Sequence, residues 1–376
     1  MTIVSARYAK SVVERLMSYA DVRINGNRPW DIQVHNENFY QRLLAEGSLG
    51  LGESYMDGWW DCEKLDQFFY KVLRANLNKK VTSSWKLKFS VLRKRLFNPQ
   101  RKSKAFNIGE KHYDRGNDLF INMLDKRMVY SCGYWKDALT LDEAQEAKLE
   151  LVCKKLGLHS GQSVLDIGCG WGSFAKYAAE RYKVKVVGIT VSKEQVILCR
   201  QSCQGFPVEI RLQDYRDVNG TFDHIVSIGM FEHVGPKNYR TYMEIVHRCL
   251  SGDGLFLLHT IGKNTSPIPP DHWLNKYIFP SYALPTIKQI GETIEDLFVM
   301  EDWHNFGVDY DKTLMAWFEN FDTNWHNIIA QYGDRFYRMW KYFLLTNAGS
   351  ARTRRIQLWQ IVLSKIGVLN GYQSIR

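Results

Sequence analysis

The chain has 376 residues, a length that suits two domains or one large domain with an extension. Its apolar fraction of 45% supports a sizeable core, and no apolar run approaches the ~18 residues of a membrane-spanning helix, so we expect a cytoplasmic protein. The seven cysteines are scattered and form no CxxC pair, so we expect reduced thiols and no bound metal. The net charge of +10 is unevenly placed, because residues 1–109 carry 19 Lys and Arg against 10 Asp and Glu.

The first 75 residues alternate short helical and turn signals. The apolar spacing predicts helices over Tyr8–Tyr19 and Phe39–Leu44, and Ile24–Asn27 has the composition of a hairpin or tight turn. Glu46–Trp60 is rich in glycine and aromatic residues. This composition predicts a loop that packs on another surface, or a structural turn with tryptophans in the core.

A basic segment follows, with ten basic residues and no acidic one between Lys79 and Lys104. Within it, Trp85–Phe97 places apolar residues on one face of a helix and Lys or Arg on the others, which is typical of a helix lying in a membrane interface. A surface helix packed on its own domain and a nucleic-acid patch are the alternatives. The chain has no RNA-binding aromatic motif, so we expect no nucleic-acid partner. The polar segment Asn98–Lys104 indicates a domain boundary near residue 105.

From residue 163 onward the pattern alternates between strand and helix, which predicts a parallel sheet covered by helices on both faces. The predicted strands are Ser163–Ile167, Lys185–Ile189, Val208–Gln213, His224–Ile228, Leu255–Thr260, Phe298–Asn305 and Gln357–Leu363. The predicted helices are Gly172–Tyr182, Ser192–Gln204, Tyr239–Leu250, Lys312–Gln331 and Arg335–Ala348. Ligands in this architecture bind beyond the carboxyl ends of the strands.

The first of these strands runs into three alternating glycines, Gly168, Gly170 and Gly172. A strand that turns through glycines into a helix brings backbone N–H groups close to a ligand, so the pattern indicates a nucleotide-type pocket. The spacing is GxGxG, not the GxGxxG of dinucleotide-binding folds, and the next strand ends in Thr190 where those folds carry an acid for the ribose. A glycine turn without a ligand is the alternative.

Four further residues have side chains suited to chemistry. Glu232 follows the fourth strand and His259 ends the fifth, so both lie at the expected pocket edge. Glu232 as a helix-cap acid and His259 as a hydrogen-bonded structural residue are the alternatives. Cys132 lies in the aromatic stretch Tyr130–Trp135, where a buried inert thiol is the common interpretation. Tyr310 carries no signal on its own.

Several motifs in fixed order resemble one enzyme family. They include GSLGLGESYMDGWWD (47–61), YSCGYW (130–135), VLDIGCGWGS (164–173), GMFEHVGPKNY (229–239) and DWHNFGVDYDKTLMAW (302–317). Through them the chain resembles, nearly end to end, the bacterial cyclopropane-fatty-acyl-phospholipid synthases, which are related to the mycolic acid cyclopropane synthases. A methyltransferase acting on another hydrophobic acceptor, and a basic membrane- or RNA-binding protein with a vestigial cofactor fold, are the alternatives.

The resemblance implies an α/β fold of the class I S-adenosylmethionine-dependent methyltransferase type, Rossmann-like with a seven-stranded sheet, and a smaller, mainly helical N-terminal domain. The domains would be 1–105, which engages lipid, and 106–376, which is catalytic. The implied reaction transfers a methylene group from S-adenosyl-L-methionine to the cis double bond of a phospholipid acyl chain through a carbocation. The implied partners are a phospholipid bilayer and a second copy in a homodimer, with peripheral association to the inner membrane.

The resemblance also implies the site residues. A bicarbonate ion would act as the general base, held by Cys132, Glu232, His259, the backbone of Ile261, and Tyr310. The cofactor residues would be Tyr130, Ser131, Asp166, Gly168, Cys169, Gly170, Trp171, Gly172, Thr190, Ser192, Gln195, Gln213, Asp214 and Tyr215. The chain departs from relatives at Asn347, where some carry a cysteine, which excludes a thiol nucleophile there. Because Thr190 replaces an acid common in the superfamily, Gln195 or another group must hold the ribose.

Overall fold

The structure is a computed structural model that describes residues 6–77, 116–265 and 271–376. In chain order, its helices are α1 (Ala6–Ser18), α2 (Asn38–Glu46), α3 (Ser48–Met56), α4 (Leu65–Arg74), α5 (Asn117–Ile121), α6 (Leu141–Lys155), α7 (Ser173–Tyr182), α8 (Lys193–Ser202), α9 (Tyr239–Cys249), α10 (His272–Tyr277), α11 (Ile287–Ile294), α12 (Asp309–Asn324), α13 (Ile329–Tyr332) and α14 (Asp334–Arg352). The strands are β1 (Gln33–Val34), β2 (Trp60–Asp61), β3 (Ser163–Ile167), β4 (Lys185–Thr190), β5 (Val208–Leu212), β6 (Phe222–Ile228), β7 (Leu250–Gly262), β8 (Val299–Asn305) and β9 (Gln357–Ser364).

These residues group into two units. We call residues 6–77, 271–280 and 314–355 the helical unit, and residues 116–265, 281–313 and 356–376 the sheet unit. The helical unit therefore takes in two segments from the second half of the chain, which a contiguous division at residue 105 assigns to the catalytic domain. The predicted boundary near residue 105 and the basic segment Trp85–Phe97 lie outside the described residues and stay predictions.

The helical unit has an aromatic core. Trp60 is fully buried and its ring lies 5.4 Å from that of Phe68, while the rings of Phe69 and Tyr342 are 5.0 Å apart. The amphipathic pattern correctly predicted α1 and α2. The prediction of a loop over Glu46–Trp60 was wrong, because Ser48–Met56 forms the buried helix α3.

Glycine serves helix packing in α3. A Cβ atom at Gly52 would lie 2.3 Å from the ring of Trp273, so a larger residue would push the indole away. The same sequence signal, a glycine beside aromatic residues, thus marks close contact here and not a turn.

The sheet unit contains a seven-stranded sheet with the order β5-β4-β3-β6-β7-β9-β8. The first five strands of this order are parallel, and β9 pairs antiparallel with both β7 and β8. The predicted parallel arrangement is confirmed for β3 to β7, whereas β9 runs against them, and all seven predicted strands are present within about five residues of their predicted ends. Four consecutive residues of β3 are buried, from Val164 to Ile167, as expected for a central strand covered on both sides.

Two apolar clusters fill the two faces of this sheet. One gathers Leu165, Ile225 and Phe256 with helix α9, and the other gathers Val164, Val226 and Leu257 with helices α6 and α7. Helix α6 begins with a capping box, in which Thr140 accepts from Glu143 N–H and the Glu143 carboxylate accepts from Thr140 N–H. The helix predicted over Lys312–Gln331 is divided, since α12 ends at Asn324 and α13 begins at Ile329. No helix in the described ranges is both long and apolar enough to cross a bilayer.

Candidate active site

A cleft lies at the carboxyl edge of the sheet, where β3, β4, β5 and β6 end. It encloses about 950 Å³ of empty space, part of it open to solvent. Nine of the predicted cofactor residues line it: Tyr130, Gly168, Trp171, Thr190, Ser192, Gln195, Gln213, Asp214 and Tyr215. Nine residues outside those fourteen also line it, and Ile189, Arg216 and Ile228 among them carried no sequence signal: Ile167, Ile189, Val191, Arg216, Ile228, Gly229, Met230, His233 and Val234.

The glycine loop after β3 forms one wall of the cleft. Gly168, Gly170 and Gly172 all have positive φ, between 55° and 85°, a backbone conformation that favours glycine. A Cβ atom at Gly168 would lie 2.7 Å from Met230, so the absence of a side chain also lets the loop after β6 approach. Trp171 is fixed in this wall by a hydrogen bond from its indole N–H to Asn117 Oδ1 (3.0 Å) and by the ring of Phe120.

The opposite wall is made by the residues that follow β4 and β5. Thr190 donates to Gln195 Oε1 at 2.7 Å, and Ser192 Oγ accepts from the N–H of Gln195. The carboxylate of Asp214 accepts from the backbone N–H of Arg216 and from its guanidinium at 3.0 Å. These contacts fix a wall rich in hydroxyl and amide groups, which suits a polar nucleoside.

Five predicted cofactor residues do not line the cleft: Ser131, Asp166, Cys169, Gly170 and Gly172. Asp166 is buried at the end of β3, and burial raises the pKa of its carboxyl to about 7. Cys169 packs with Cys199 and Cys203 behind the glycine loop. These residues support the wall from behind.

The five predicted catalytic residues converge beside this cleft. Glu232 Oε1 accepts a hydrogen bond from the backbone N–H of Ile261 at 2.6 Å. Ile261 and Tyr310 both pack on a cluster formed by Cys132, Phe306 and Leu358. The ring of His259 lies 5.9 Å from that of Phe306. The cleft-lining residues Met230 and His233 flank Glu232 in the chain, so this group of five and the cleft share one edge of the sheet.

Glu232 is a buried acid, with 5% of its surface exposed. Burial raises its pKa to about 7, and the hydrogen bond from Ile261 opposes that shift. Its second oxygen, Oε2, is buried and makes no hydrogen bond with a residue that the structure describes, while the Thr260 hydroxyl, which donates to the carbonyl of Ile261, lies close enough to lower the pKa of the carboxyl. An unsatisfied carboxylate oxygen in a dry site is a ready acceptor for a ligand O–H.

His259 is a buried neutral imidazole. Burial, together with the charges of Lys148 and Lys155, lowers its pKa well below 6.5. Gln360 Nε2 donates to Nδ1 at 3.3 Å, so the ring proton is on Nε2. Within the described residues this Nε2–H has no hydrogen-bond partner. The site therefore offers one unused donor and one unused acceptor, at His259 and Glu232.

The start of α12 contains Tyr310 and contacts the segment that carries Cys132. Thr313 Oγ1 accepts from the backbone N–H of Gly133 at 3.1 Å and lies 3.8 Å from Cys132 Sγ. Burial raises the pKa of the Cys132 thiol well above its ordinary value, so the thiol stays neutral. A neutral thiol is a weak nucleophile. The geometry thus favours Cys132 as a contact residue over an attacking group.

Known proteins similar to this chain identify its fold and its family. A mostly parallel seven-stranded sheet with a glycine loop after β3 is the class I S-adenosylmethionine-dependent methyltransferase fold, and solved structures of such enzymes match the chain, which confirms the predicted fold. The chain belongs to the mycolic acid cyclopropane synthetase family of enzymes, whose sequence profile matches residues 100–361.

Individual relatives agree with this family. The chain is 54% identical over 365 residues to the cyclopropane-fatty-acyl-phospholipid synthase of Escherichia coli strain K12, a match that covers 97% of this chain and 95% of that protein. The cyclopropane synthase MmaA2 of Mycobacterium tuberculosis is 32% identical with a TM-score of 0.66, covering 69% of this chain and 98% of that one. The mycolic acid cyclopropane synthase CmaA1, complexed with SAH and CTAB, is 33% identical with the same TM-score and coverage.

The buried Glu232 should make the stability of the protein depend on pH. The pKa of Glu232 in the folded state, about 7, exceeds its ordinary value of 4.5. The free energy of unfolding should therefore fall as the pH rises from 4.5 to about 7. We expect Glu232→Gln to gain stability relative to wild type by up to ~3 kcal/mol between pH 4.5 and about pH 8, measured by urea unfolding.

Glu150→Gln is the matched control. Glu150 accepts hydrogen bonds from Tyr177 and Tyr182, and its pKa is lowered. The stability difference between Glu150→Gln and wild type should therefore not change with pH above 4.5. A stability difference between Glu232→Gln and wild type that is the same at both ends of the pH range would show that Glu232 titrates normally.

Proposed function

We propose that this protein transfers a methylene group from S-adenosyl-L-methionine to the cis double bond of an unsaturated phospholipid acyl chain and closes a cyclopropane ring. The observation that carries the proposal is the convergence of Glu232, Ile261, His259, Cys132 and Tyr310 beside the cleft at one sheet edge. The similarity to the Escherichia coli cyclopropane-fatty-acyl-phospholipid synthase, over nearly all of both chains, supports the same reaction.

The cleft would hold the methylene donor. S-adenosyl-L-methionine, when bound, supplies an electrophilic sulfonium methyl group. The residues present fit its polar parts, because Thr190, Ser192 and Gln195 form a hydroxyl and amide wall, and Gly168 adds no side chain to the space opposite. Trp171, anchored by Asn117, supplies an apolar surface, and Asp214 adds a carboxylate.

The acceptor demands a dry and well-ordered site. An isolated alkene is a weak nucleophile, so positioning must supply much of the rate. Its attack would break the bond between the methyl carbon and the donor sulfur and leave a carbocation on the acyl chain, which water would trap. Beside Cys132, Phe306 is buried and Tyr134 is half-buried, with their rings 5.3 Å apart, and such rings stabilise a passing cation.

A base must then take a proton from the transferred methyl group so that the ring closes. Bicarbonate, when bound, supplies a small base with one O–H donor and several acceptor oxygens. The residues fit this group, because Glu232 Oε2 is an unused acceptor and His259 Nε2–H an unused donor among the described residues. Glu232 would accept the O–H of the anion, while His259 and the hydroxyl of Tyr310 would donate to its oxygens, and the N–H of Ile261, which donates to Glu232 Oε1, would hold that carboxylate in place.

The phospholipid substrate requires contact with a bilayer. The ten basic residues between Lys79 and Lys104 would attract anionic lipid, at ~1 kcal/mol each near the surface. The apolar face of Trp85–Phe97 would add a few more kcal/mol on burial, enough for reversible binding to the inner membrane. The family resemblance also implies a homodimer.

Substitution of Glu232 tests the chemical role. Glu232→Gln should lower turnover by about 100-fold or more, because with its oxygen held by the N–H of Ile261 the amide presents an N–H donor where Oε2 would accept. Its affinity for SAH, measured by calorimetry, should stay within a few-fold of wild type. The assay product should carry one added CH₂ group and resist alkene-specific reagents. A product that keeps its double bond would indicate simple methyl transfer, and near-normal turnover in the variant would exclude Glu232.

Removal of dissolved CO₂ and bicarbonate tests the proposed base. Turnover in degassed, CO₂-free buffer should fall by about tenfold or more, as expected when a general base is lost, and added bicarbonate should restore it. Chloride at the same ionic strength is the control. An enzyme that works equally well without bicarbonate would point to a side chain as the base.

Vesicle binding tests the membrane partner. Replacing Arg93, Lys94 and Arg95 together with glutamine should weaken binding to vesicles that contain anionic lipid by about tenfold or more, while wild-type binding should weaken as salt increases. Replacing the acidic residues Glu209 and Glu244, which lie outside the basic segment, is a control for surface charge. Unchanged partitioning of the triple variant would discard the membrane role of this segment.

A further inference from the structure

Lys148 is a buried ammonium group that the proposed mechanism leaves unused. It lies on α6 with 1% of its surface exposed. Its Nζ donates one hydrogen bond, to Ser131 Oγ at 3.0 Å, and forms no ion pair with any residue that the structure describes. A buried ammonium with two unused N–H groups is costly, and buried lysines are rarely left without a counter-charge. This cost calls for a reason.

A second lysine on the same helix shows the ordinary solution. Lys155 lies two turns further along α6 and is fully buried. Its Nζ is 3.0 Å from His304 Nδ1 and 3.5 Å from Asp302 Oδ2. Lys155 therefore has an ion-pair partner, whereas the carboxylates that act on Lys148 lie beyond ion-pair distance.

Two residues of α6 form hydrogen bonds with Ser131, the residue before Cys132. Lys148 binds the hydroxyl of Ser131, and Gln145, one turn earlier, donates to the carbonyl of Ser131 at 2.8 Å. Ser131 is adjacent to Cys132, the residue that packs with Ile261 and Tyr310. Lys148 and Gln145 therefore fix the side chain and the backbone of Ser131, next to this cluster.

The charge of Lys148 also acts on the site itself. It favours the neutral form of His259, as Lys155 also does, and, unlike Lys155, it opposes the effect of burial on the Cys132 thiol. The two nearest candidate counter-ions are Asp125 and Asp166, and neither has an oxygen within 4.0 Å of Nζ. Asp125 accepts the N–H groups of Arg127 and Val129 instead.

A bound anion would complete this arrangement. The proposed site would bring an anion against the carboxylate of Glu232, and His259 is neutral, so attraction must come from elsewhere. We propose that Lys148 is a positioning residue that holds the Ser131–Cys132 segment and supplies the buried positive charge for the anion bound by Cys132, Glu232 and His259. This inference rests on the proposed function.

The test measures anion binding without turnover. SAH-bound protein in CO₂-free buffer is titrated with bicarbonate, and the rise of its thermal unfolding midpoint gives the half-saturating concentration. Lys148→Met and Lys148→Gln should raise that concentration by about tenfold or more, because both remove the charge. The glutamine keeps a donor for Ser131, which protects the fold if the methionine variant does not fold. Lys155→Met, which removes an equally buried charge from the same helix, should stay within about twofold of wild type.

The outcomes separate the inference from the proposed function. A wild-type protein whose unfolding midpoint ignores bicarbonate overturns the anion site and the inference with it. A wild type that responds, beside a Lys148→Gln variant with the same half-saturating concentration, overturns the inference alone. An equal loss in Lys155→Met also overturns it, since the effect would then belong to any buried charge on α6. SAH affinity within a few-fold of wild type in all variants, by calorimetry, excludes a collapsed donor cleft.

Discussion

The hydrogen bond from the backbone of Ile261 to Glu232 is the constraint on which the site depends. It exists because β6 and β7 are parallel neighbours in a register that pairs Ile228 with His259. That register carries the chain after β6 directly past the end of β7, so an acid four residues beyond Ile228 meets a backbone donor two residues beyond His259. Any slip of one residue between these strands would exchange the faces of the sheet and separate the two groups. The chemistry therefore depends on the pairing of β6 with β7 as well as on the types of residue at the site.

Burial gives the groups at this edge unusual protonation states. The carboxyl of Glu232 titrates near neutrality, His259 is a neutral donor, and the thiol of Cys132 is protonated. None of these side chains is a strong base, which supports the proposal of a small external base. The same dryness would protect the proposed carbocation from water, so one property, exclusion of solvent, would serve both needs.

The sequence predicted the sheet well because buried parallel strands are short apolar runs between turn residues, and this pattern is local. It predicted the edge of the site for the same reason, since strand ends are local features. Helix α3 was missed because Gly50 and Gly52 permit close contacts, with the backbone of Arg42 and the ring of Trp273 respectively, that are visible only in the folded chain. The reversed direction of β9 and the anchoring of Trp171 by Asn117 depend on contacts between distant parts of the chain, which carry no periodic signal. Lys148 is likewise indistinguishable in sequence from a surface lysine of an amphipathic helix.

Within the sheet unit, the buried polar groups at the site and the apolar clusters of the core have opposite effects on stability. Glu232, His259, Lys148 and Asp166 are buried with incomplete hydrogen bonding or without an ion pair in the part of the chain that the structure describes. Each lowers stability, as functional sites commonly do. The two apolar clusters on the sheet faces compensate for them, and most of their side chains lie away from the cleft, although Ile167, Ile189, Tyr215 and Val234 of the first cluster also line it. A substitution at a cluster residue away from the cleft, such as Ile225 or Leu257, should therefore act through folding alone, whereas relief of a buried charge at the strand ends should stabilise the protein and weaken its chemistry together.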